Sequence, residues 1–152
     1  MKIDLRTLAV ACACVLGLGA FAGAGKAGKA TQKDVVWPAE AIAWVDGPAP
    51  GAHTAKLWGD MAKGGSYGVL IKFDAGIMHP LHWHTQSLKI VVISGTFVHQ
   101  PEGGTETRLG PGSYVLQVGG AKHTSGCAAG AECQFLMTSS DKFDMKNVEK
   151  AK

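Results

Sequence analysis

The chain has 152 residues, a formal net charge of +3 and four cysteines. This length suits one domain built around a single hydrophobic core. The excess of Lys and Arg lies towards the two ends of the chain, with no concentrated basic patch that interleaves aromatic residues. We therefore expect no nucleic-acid partner.

The first 24 residues have the pattern of a secretory signal peptide. Lys2 and Arg6 flank the start, residues 8–21 are apolar or small, and the tripeptide at 22–24 is Ala-Gly-Ala, a typical cleavage site. The apolar run is too short and too rich in glycine for a transmembrane helix, so no membrane span is expected in the mature chain. The sequence predicts a periplasmic or secreted protein.

Two segments of low complexity flank the predicted domain. Residues 25–34 are small and charged without periodicity, which predicts a disordered lead-in. Residues 35–144 form the predicted domain, and residues 145–152 are expected to be a charged C-terminal tail.

Short segments rich in β-branched and aromatic residues fill the domain and are separated mostly by glycine-containing turns. They predict strands over 67–73, 81–84, 88–93, 96–99, 113–118 and 133–139. Several short strands at regular intervals are typical of an antiparallel sandwich or barrel. The predicted fold class is all-β.

Three histidines have a spacing that suits a metal site. His82 and His84 stand two apart, so they leave the same face of a strand. His123 follows a second predicted strand and a Gly-Gly turn. Three neutral imidazoles on a rigid sheet would bind one divalent transition metal such as Fe, Mn, Ni, Cu or Zn. The competing interpretation is that they are ordinary polar residues near turns.

The segments around these histidines resemble the two motifs of the cupin superfamily, G-x5-H-x-H-x3-E-x6-G and G-x5-P-x-G-x2-H. The residues that match are four glycines and three histidines: Gly76, His82, His84, Gly95, Gly112, Gly120 and His123. Val118 replaces the proline, and Leu88 replaces the glutamate that serves the family as a metal ligand. The resemblance implies a double-stranded β-helix, or jelly-roll barrel.

Outside the motifs, the chain is similar to small exported single-domain cupins of the ChrR type. The similarity lies in four segments, at 57–60, 110–114, 127–133 and 142–144. Proteins of this kind mostly lack an assigned reaction. The resemblance therefore predicts the fold more closely than the function.

The missing glutamate defines the expected chemistry of the site. If the strand is unbroken, Leu88 points into the barrel and Lys89 points away. The fourth coordination position is then empty, filled by water, or filled by Gln86. Without a carboxylate, the ion keeps its full +2 charge and is a stronger Lewis acid. The three-histidine cupins that this pattern resembles are ferrous dioxygenases.

Apolar residues of the predicted strands are candidates to line a pocket beside the metal. They are Met78, Phe97, Tyr114, Leu116, Phe135 and Met137. Plain core packing is the alternative for most of them. Gln117 lies in an otherwise apolar strand and either orients a substrate or faces water. His79 has the wrong parity for the metal-binding face and is expected either at its rim or, as the favoured alternative, as an ordinary surface residue. His99 is expected to end a strand in solvent.

Cys127 and Cys133 are the cysteines expected in the mature chain, because the other two lie in the predicted signal peptide. An even count in an oxidising compartment predicts a disulfide between them. The competing interpretation is a pair of redox or metal-binding thiols, although five intervening residues match no usual C-x-x-C site.

The leading functional hypothesis is an exported metal-binding cupin that binds a small organic molecule, with Fe(II)-dependent dioxygenase activity implied by the resemblance. The alternative is a non-enzymatic binding or sensing cupin with a structural metal or none. Isomerase or hydrolase chemistry on carbohydrates lacks the paired carboxylates that support it. Both a homodimer and a monomer are compatible with the sequence.

Overall fold

The computed structural model describes residues 33–149. The predicted signal peptide at 1–24 and most of the lead-in at 25–34 lie outside this range. The described part contains eleven strands and a single 3-10 turn at Ala39–Ala41. Over these residues there is no helix with the length and hydropathy needed to span a membrane.

The strands are β1 (Val45–Asp46), β2 (Ala52–Trp58), β3 (Tyr67–Phe73), β4 (Met78–Trp83), β5 (Leu88–Ser94), β6 (Phe97–Pro101), β7 (Thr107–Leu109), β8 (Tyr114–Gln117), β9 (His123–Cys127), β10 (Cys133–Ser139) and β11 (Lys146–Asn147). All paired strands are antiparallel, in two sheets ordered β1-β2-β3-β10-β5-β8 and β11-β4-β9-β6-β7. The prediction of an all-β antiparallel jelly roll is confirmed.

The core lies between the two sheets, where alternate residues of each strand point inward. Along β3 and β10 the odd-numbered residues from 67 to 73 and from 133 to 139 are buried. Phe97 of β6 reaches from the second sheet to the first, with its ring centroid 5.0 Å from that of Phe135. Phe73 packs edge-on against Phe135 at the same distance. The Phe97–Phe135 contact joins the two sheets, and the Phe73 ring also lies 4.7 Å from that of His79.

The four glycines of the two motifs occupy left-handed backbone positions that other residues rarely adopt. Their φ angles are +79° at Gly76, +69° at Gly95, +84° at Gly112 and +80° at Gly120. The Gly120 amide donates to the carbonyl of His84 at 2.8 Å. The second motif's turn is thereby fixed to the first motif's histidine.

A disulfide joins the end of β9 to the start of β10, as predicted. The Cα atoms of Cys127 and Cys133 are 5.8 Å apart, within the usual range for a disulfide. Both side chains are buried in the core.

The C-terminal strap, which we define as residues 141–148, lies along the edge of the second sheet. Lys146 and Asn147 form β11 opposite Trp83 and His82 of β4. The amide of Val148 donates to Leu81 at 2.9 Å. Sheet structure therefore continues past residue 144, where the predicted domain ends. Strand pairing uses backbone groups, so a short charged segment can join a sheet without an apolar pattern.

Candidate metal centre

The fold brings His82, His84 and His123 together in the interior. His82 lies in β4, His84 directly follows that strand, and His123 begins β9 opposite His82. One ring nitrogen from each residue lies within 4.8 Å of the others, and no side chain is more than 5% exposed. The structure thus brings together the three imidazoles that the sequence spacing predicted as a cluster. A cluster of this size can hold one metal ion.

Hydrogen bonds fix which ring nitrogen each histidine offers. The Nδ1 of His82 donates to the carbonyl of Pro80 at 2.6 Å, that of His84 to Asp144 at 2.6 Å, and that of His123 to Ala121 at 3.0 Å. A ring protonated on Nδ1 keeps its lone pair on Nε2. Backbone carbonyls are frequent partners of metal-binding histidines for this reason.

One of the three Nε2 atoms lacks a hydrogen-bond partner among the described residues. Within residues 33–149, the Nε2 of His123 is buried without a hydrogen-bond partner. Buried polar atoms are rarely left unsatisfied, and such an atom calls for an explanation. A metal ion bound at Nε2 would supply the missing interaction, so the donor set fits a divalent transition metal.

The protonation state also suits metal binding. Desolvation by burial lowers the pKa of His82 and of His123 to about 4, and neighbouring imidazoles lower both further against the opposing effect of the backbone carbonyls. Burial likewise lowers the pKa of His84. The rings are therefore neutral at neutral pH, the form in which imidazole binds a metal.

A cavity of about 50 Å³ lies beside His82 and His84. This space holds roughly three to five water-sized groups. Of the predicted pocket residues, Phe97, Phe135 and Met137 line it. The lining is mostly apolar, as in many small-molecule sites.

The other three predicted pocket residues do not line this cavity. Tyr114 and Leu116 are 58% and 48% exposed, because Val115 and Gln117 are the residues of β8 that point inward. Met78 is 45% exposed at the start of β4. For Tyr114 and Leu116 the prediction chose the wrong face, since a four-residue strand gives little evidence of its parity.

His79 lines the cavity and is buried, although its spacing predicted a place at the rim. The pairing of β4 with β9 shifts register between His79 and His82. An irregularity of this kind inserts a residue and allows side chains three apart to share a face. The Nε2 of His79 forms a hydrogen bond with the carbonyl of Pro50 at 3.1 Å.

Gln117 is the polar residue whose role the sequence left open. It is 4% exposed and lines the cavity. Its Nε2 lies 3.4 Å from the Nδ1 of His99, and the His99 ring centroid is 5.0 Å from that of His123. His99 is partly buried within β6, not solvated as expected, and burial lowers its pKa. The sequence around Gln117 carries no signal that identifies its face, because apolar residues fall on both faces of β8.

Leu88, which stands in the position of the family's glutamate, points inward and lines the cavity at 2% exposure. It pairs directly with Gln117 across β5 and β8. Lys89 is exposed on the opposite face, as predicted. The cavity is therefore apolar at the position where a cupin usually has its acidic ligand.

Gln86, the predicted fourth ligand, lies in the bend between β4 and β5 and is partly buried. It lines a separate outer pocket of about 450 Å³. The rest of that pocket consists of Thr85 and strap residues: Asp141, Lys142, Phe143, Asp144 and Lys146. Metal binding by Gln86 stays a prediction.

The C-terminal strap supports His84 from the outside. The carboxylate of Asp144 accepts hydrogen bonds from the amide and hydroxyl of Thr85 at 2.7 and 2.5 Å and lies 3.4 Å from the Lys146 ammonium. Desolvation raises the pKa of this carboxyl, but these donors outweigh it and lower the pKa overall. The ring of Phe143 packs 5.2 Å from that of His84. The strap thus positions one candidate ligand and covers the cavity.

Solved structures of similar fold are numerous. They include the polyketide cyclase RemF from Streptomyces resistomycificus, with 20% identity over 80% of this chain and 88% of that one and a TM-score of 0.65. KdgF from Halomonas sp. shares 20% identity over 70% and 94% of the two chains, with a TM-score of 0.57. An RmlC-like cupin from Shewanella frigidimarina shares 21% identity over 72% of this chain and 92% of that one, also with a TM-score of 0.57. At these identities the likeness concerns the fold alone.

No curated protein sequence matches the chain. The family model of the ChrR Cupin-like domain matches residues 32–142, which is most of the chain and includes all three histidines. The sequence motifs, the antiparallel jelly roll and the family match agree. The chain belongs to the ChrR cupin-like family of the cupin superfamily.

Proposed function

We propose that the protein binds one divalent transition metal through His82, His84 and His123, and a small organic molecule in the adjoining cavity. The observation that carries the proposal is the buried Nε2 of His123, which has no partner among the described residues although the Nδ1 atoms of all three rings are engaged. When bound, the ion would supply Lewis-acid or redox chemistry.

The chain's own residues have three tasks in this proposal. The histidines hold the ion as neutral donors, and the carbonyls of Pro80, Ala121 and Asp144 orient them. The apolar lining excludes water and accepts the organic part of the ligand. Gln117 offers an amide for a hydrogen bond to the ligand's polar group.

A thermal unfolding experiment tests the metal site. Ligands that bind only the native state stabilise it, so zinc at about 100 times its dissociation constant should add ~2.7 kcal/mol and raise the melting temperature by roughly 10 °C. His123→Ala should abolish the shift. His53→Ala, which removes a histidine held by Asp46 and Asp74 outside the site, should retain it. An equal shift in both variants would refute the assignment.

For the activity, we propose oxidation of the small molecule by O2 with iron in the site, both oxygen atoms entering the product so that no external reductant is needed. The proposal is supported by the similarity to three-histidine cupins and by the absence of a carboxylate at Leu88. Oxygen uptake by the iron-loaded protein, measured over carbonyl, phenolic and thiol compounds, is the test. Uptake that His82→Ala abolishes supports oxygenation, whereas no uptake from any compound argues against it.

The second candidate function is ligand binding or sensing without catalysis. The small volume of the cavity and its cover of strap residues favour it, because an enzyme must admit and release molecules repeatedly. Metal-dependent binding of a compound that is recovered unchanged after prolonged incubation in air would support this function over oxygenation.

We also propose that two copies associate through the outer face of β5 and β8. Val91, Ile93, Tyr114 and Leu116 are 40–58% exposed there, and β8 ends its sheet. An apolar face beside a strand that ends its sheet among the described residues favours association with a second copy by isologous contact. Sedimentation velocity should show a dimer that Leu116→Lys dissociates. A monomeric parent protein would contradict the proposal.

Finally, we propose that the chain is exported to the periplasm or secreted. The pattern of residues 1–24 and the Cys127–Cys133 pair support this, because disulfides persist in oxidising compartments. Fractionation of cells that express the full chain tests it. Recovery of uncleaved protein in the cytoplasm alone would refute it.

A further inference from the structure

We propose that the cavity, with a divalent ion on the three histidines, selects a small anionic organic ligand over its neutral isostere. This inference rests on the proposed function, because it requires the ion. It adds the charge of the ligand, which neither the fold nor the histidine cluster specifies.

The first step is the charge balance of the cavity. Its lining, within the described residues 33–149, includes no Asp, Glu, Lys or Arg. The three histidines hold Nδ1 against backbone carbonyls and would bind an ion through Nε2 as neutral imidazoles, so they bring no negative charge. A divalent ion therefore brings a charge of +2 into a space whose lining carries no counter-charge, because the Asp144 carboxylate lies outside this lining and is paired with Lys146. Buried charges are costly unless they are paired.

The second step is the position of Leu88. A glutamate at this inward-facing position would reduce the net charge to +1, as in the usual cupin motif. Leucine leaves that neutralisation to the ligand. At the short distances of such a site, one unit of charge changes an interaction by several kcal/mol even at an effective dielectric constant of about 20. The ligand's charge should therefore dominate selectivity.

The third step concerns the polar contact opposite Leu88. Gln117 pairs with Leu88 and lines the cavity. One proton of its Nε2 faces the Nδ1 of His99 at 3.4 Å. An amide nitrogen carries two protons, so the second can be donated to an oxygen of the ligand. Gln117 thus provides a neutral hydrogen-bond donor for an anionic ligand. Because it carries no charge, it does not weaken the attraction between the metal ion and that ligand.

The cavity's size sets the class of ligand. Space for roughly three to five water-sized groups accommodates a carboxylate or an enolate with a short apolar body. The surrounding Phe97, Phe135 and Met137 suit the apolar part. A large or multiply charged ligand, such as a nucleotide, fits neither the volume nor the lining.

Isothermal titration of the zinc-loaded full chain with acetate and acetamide tests the inference. The two probes have nearly the same shape and differ in charge. At neutral pH acetate should bind at least about 10-fold more tightly than acetamide. Neither should bind the metal-free protein. Comparable affinities for the two probes in the zinc-loaded protein would overturn the inference.

Two variants at Leu88 separate charge from shape. Leu88→Glu should weaken acetate binding at least ~10-fold and change acetamide binding by less than about threefold. Leu88→Gln introduces a side chain of the size of glutamate but without its charge, so this variant should retain the preference for acetate. An unchanged acetate affinity in the folded, zinc-loaded Glu variant would contradict the charge argument. Gln117→Leu should reduce acetate affinity about 10-fold through loss of the hydrogen bond.

These measurements also separate the inference from the proposed function. If wild-type protein takes up no zinc, the proposed metal site fails. If it takes up zinc but does not distinguish acetate from acetamide, the metal site stands and the anion selectivity is wrong. The wild-type comparison decides the matter even if a variant does not fold.

Discussion

Each of the three clustered histidines uses its Nδ1 on a backbone carbonyl and keeps Nε2 for the interior of the barrel. For His82 and His123 the accepting carbonyl lies two residues earlier in the chain, at Pro80 and Ala121. The orientation of these rings is therefore fixed by local backbone. His84 differs, because its acceptor is Asp144, sixty positions away. Its orientation depends on the strap.

Burial of neutral histidines predicts a pH-dependent stability of the metal-free protein. In the unfolded chain these groups bind a proton near pH 6.5, whereas His82 and His123 have native pKa values of about 4. The unfolded state therefore gains protons first as the pH falls, and stability is lost between about pH 6.5 and 4. Because one unit of pKa difference corresponds to about 1.4 kcal/mol, the two groups together should cause a loss of several kcal/mol. Urea unfolding at a series of pH values, in the presence of a chelator, measures this loss of unfolding free energy.

The matched control is His82→Asn combined with His123→Asn, which removes both titrating rings but keeps polar side chains. Its unfolding free energy should fall much less over the same interval. Equal losses in the parent protein and the double variant would show that other groups cause the acid sensitivity.

At the scale of single residues, spacing predicted the three clustered histidines and the inward direction of Leu88. It did not predict His79 or Gln117. The register shift in β4 breaks the parity rule for His79. The short β8 offered two choices of inward face for Gln117. Alternation is informative only in long, regular strands, so the face of His79 was not predicted and that of Gln117 stayed open.

Among the elements, the C-terminal strap has the closest relation to the site. It pairs with β4, places the Lys146 ammonium 4.4 Å from the centroid of the Trp83 ring, and joins Thr85 through the Asp144 carboxylate. The amide of Phe143 also donates to the carbonyl of Met61 at 2.7 Å. These contacts fix the carbonyl that orients His84.

Asp144→Ala should therefore weaken metal binding without removing a ligand. We expect about a 10-fold loss of zinc affinity, since partners that orient metal ligands typically matter to this extent. Loss of the carboxylate's hydrogen bonds should also reduce stability by about 1–2 kcal/mol. Zinc titration and urea unfolding measure the two effects. Glu149→Ala, an exposed acidic control near the strap, should change neither.

Asp144→Asn refines this test, because it retains an acceptor oxygen and should recover part of the affinity. If Asp144→Ala and Glu149→Ala bound zinc equally well, the strap would have no part in orienting His84.

The disulfide closes the loop between β9 and β10, and this loop connects the two sheets because the two strands lie in different sheets. It closes a loop with a sequence separation of six. Loop-closure entropy predicts that replacing both cysteines with serine costs about 2 kcal/mol. Urea unfolding of oxidised and reduced parent protein should show the same difference. No change on reduction would indicate that the bond adds no net stability.

For the whole molecule, sequence predicted the architecture better than the individual strands. The glycine framework and the β-rich segments indicated the jelly roll, and β3 and β10 have the predicted bounds. β9, with the sequence HTSGC, was missed because Gly is a poor strand former and Ser is common in turns. Pairing with β4 and β6 on both sides maintains it. Tertiary contacts of this kind leave no local pattern in the sequence.

Elemental analysis of the protein, purified without chelator, is the most direct test of the central claim. We expect about one divalent transition-metal ion per chain, the number that one three-histidine cluster holds. The double variant His82→Ala, His123→Ala should contain none. A metal-free parent protein that also fails to take up added zinc or iron, or equal metal content in parent and variant, would contradict the account.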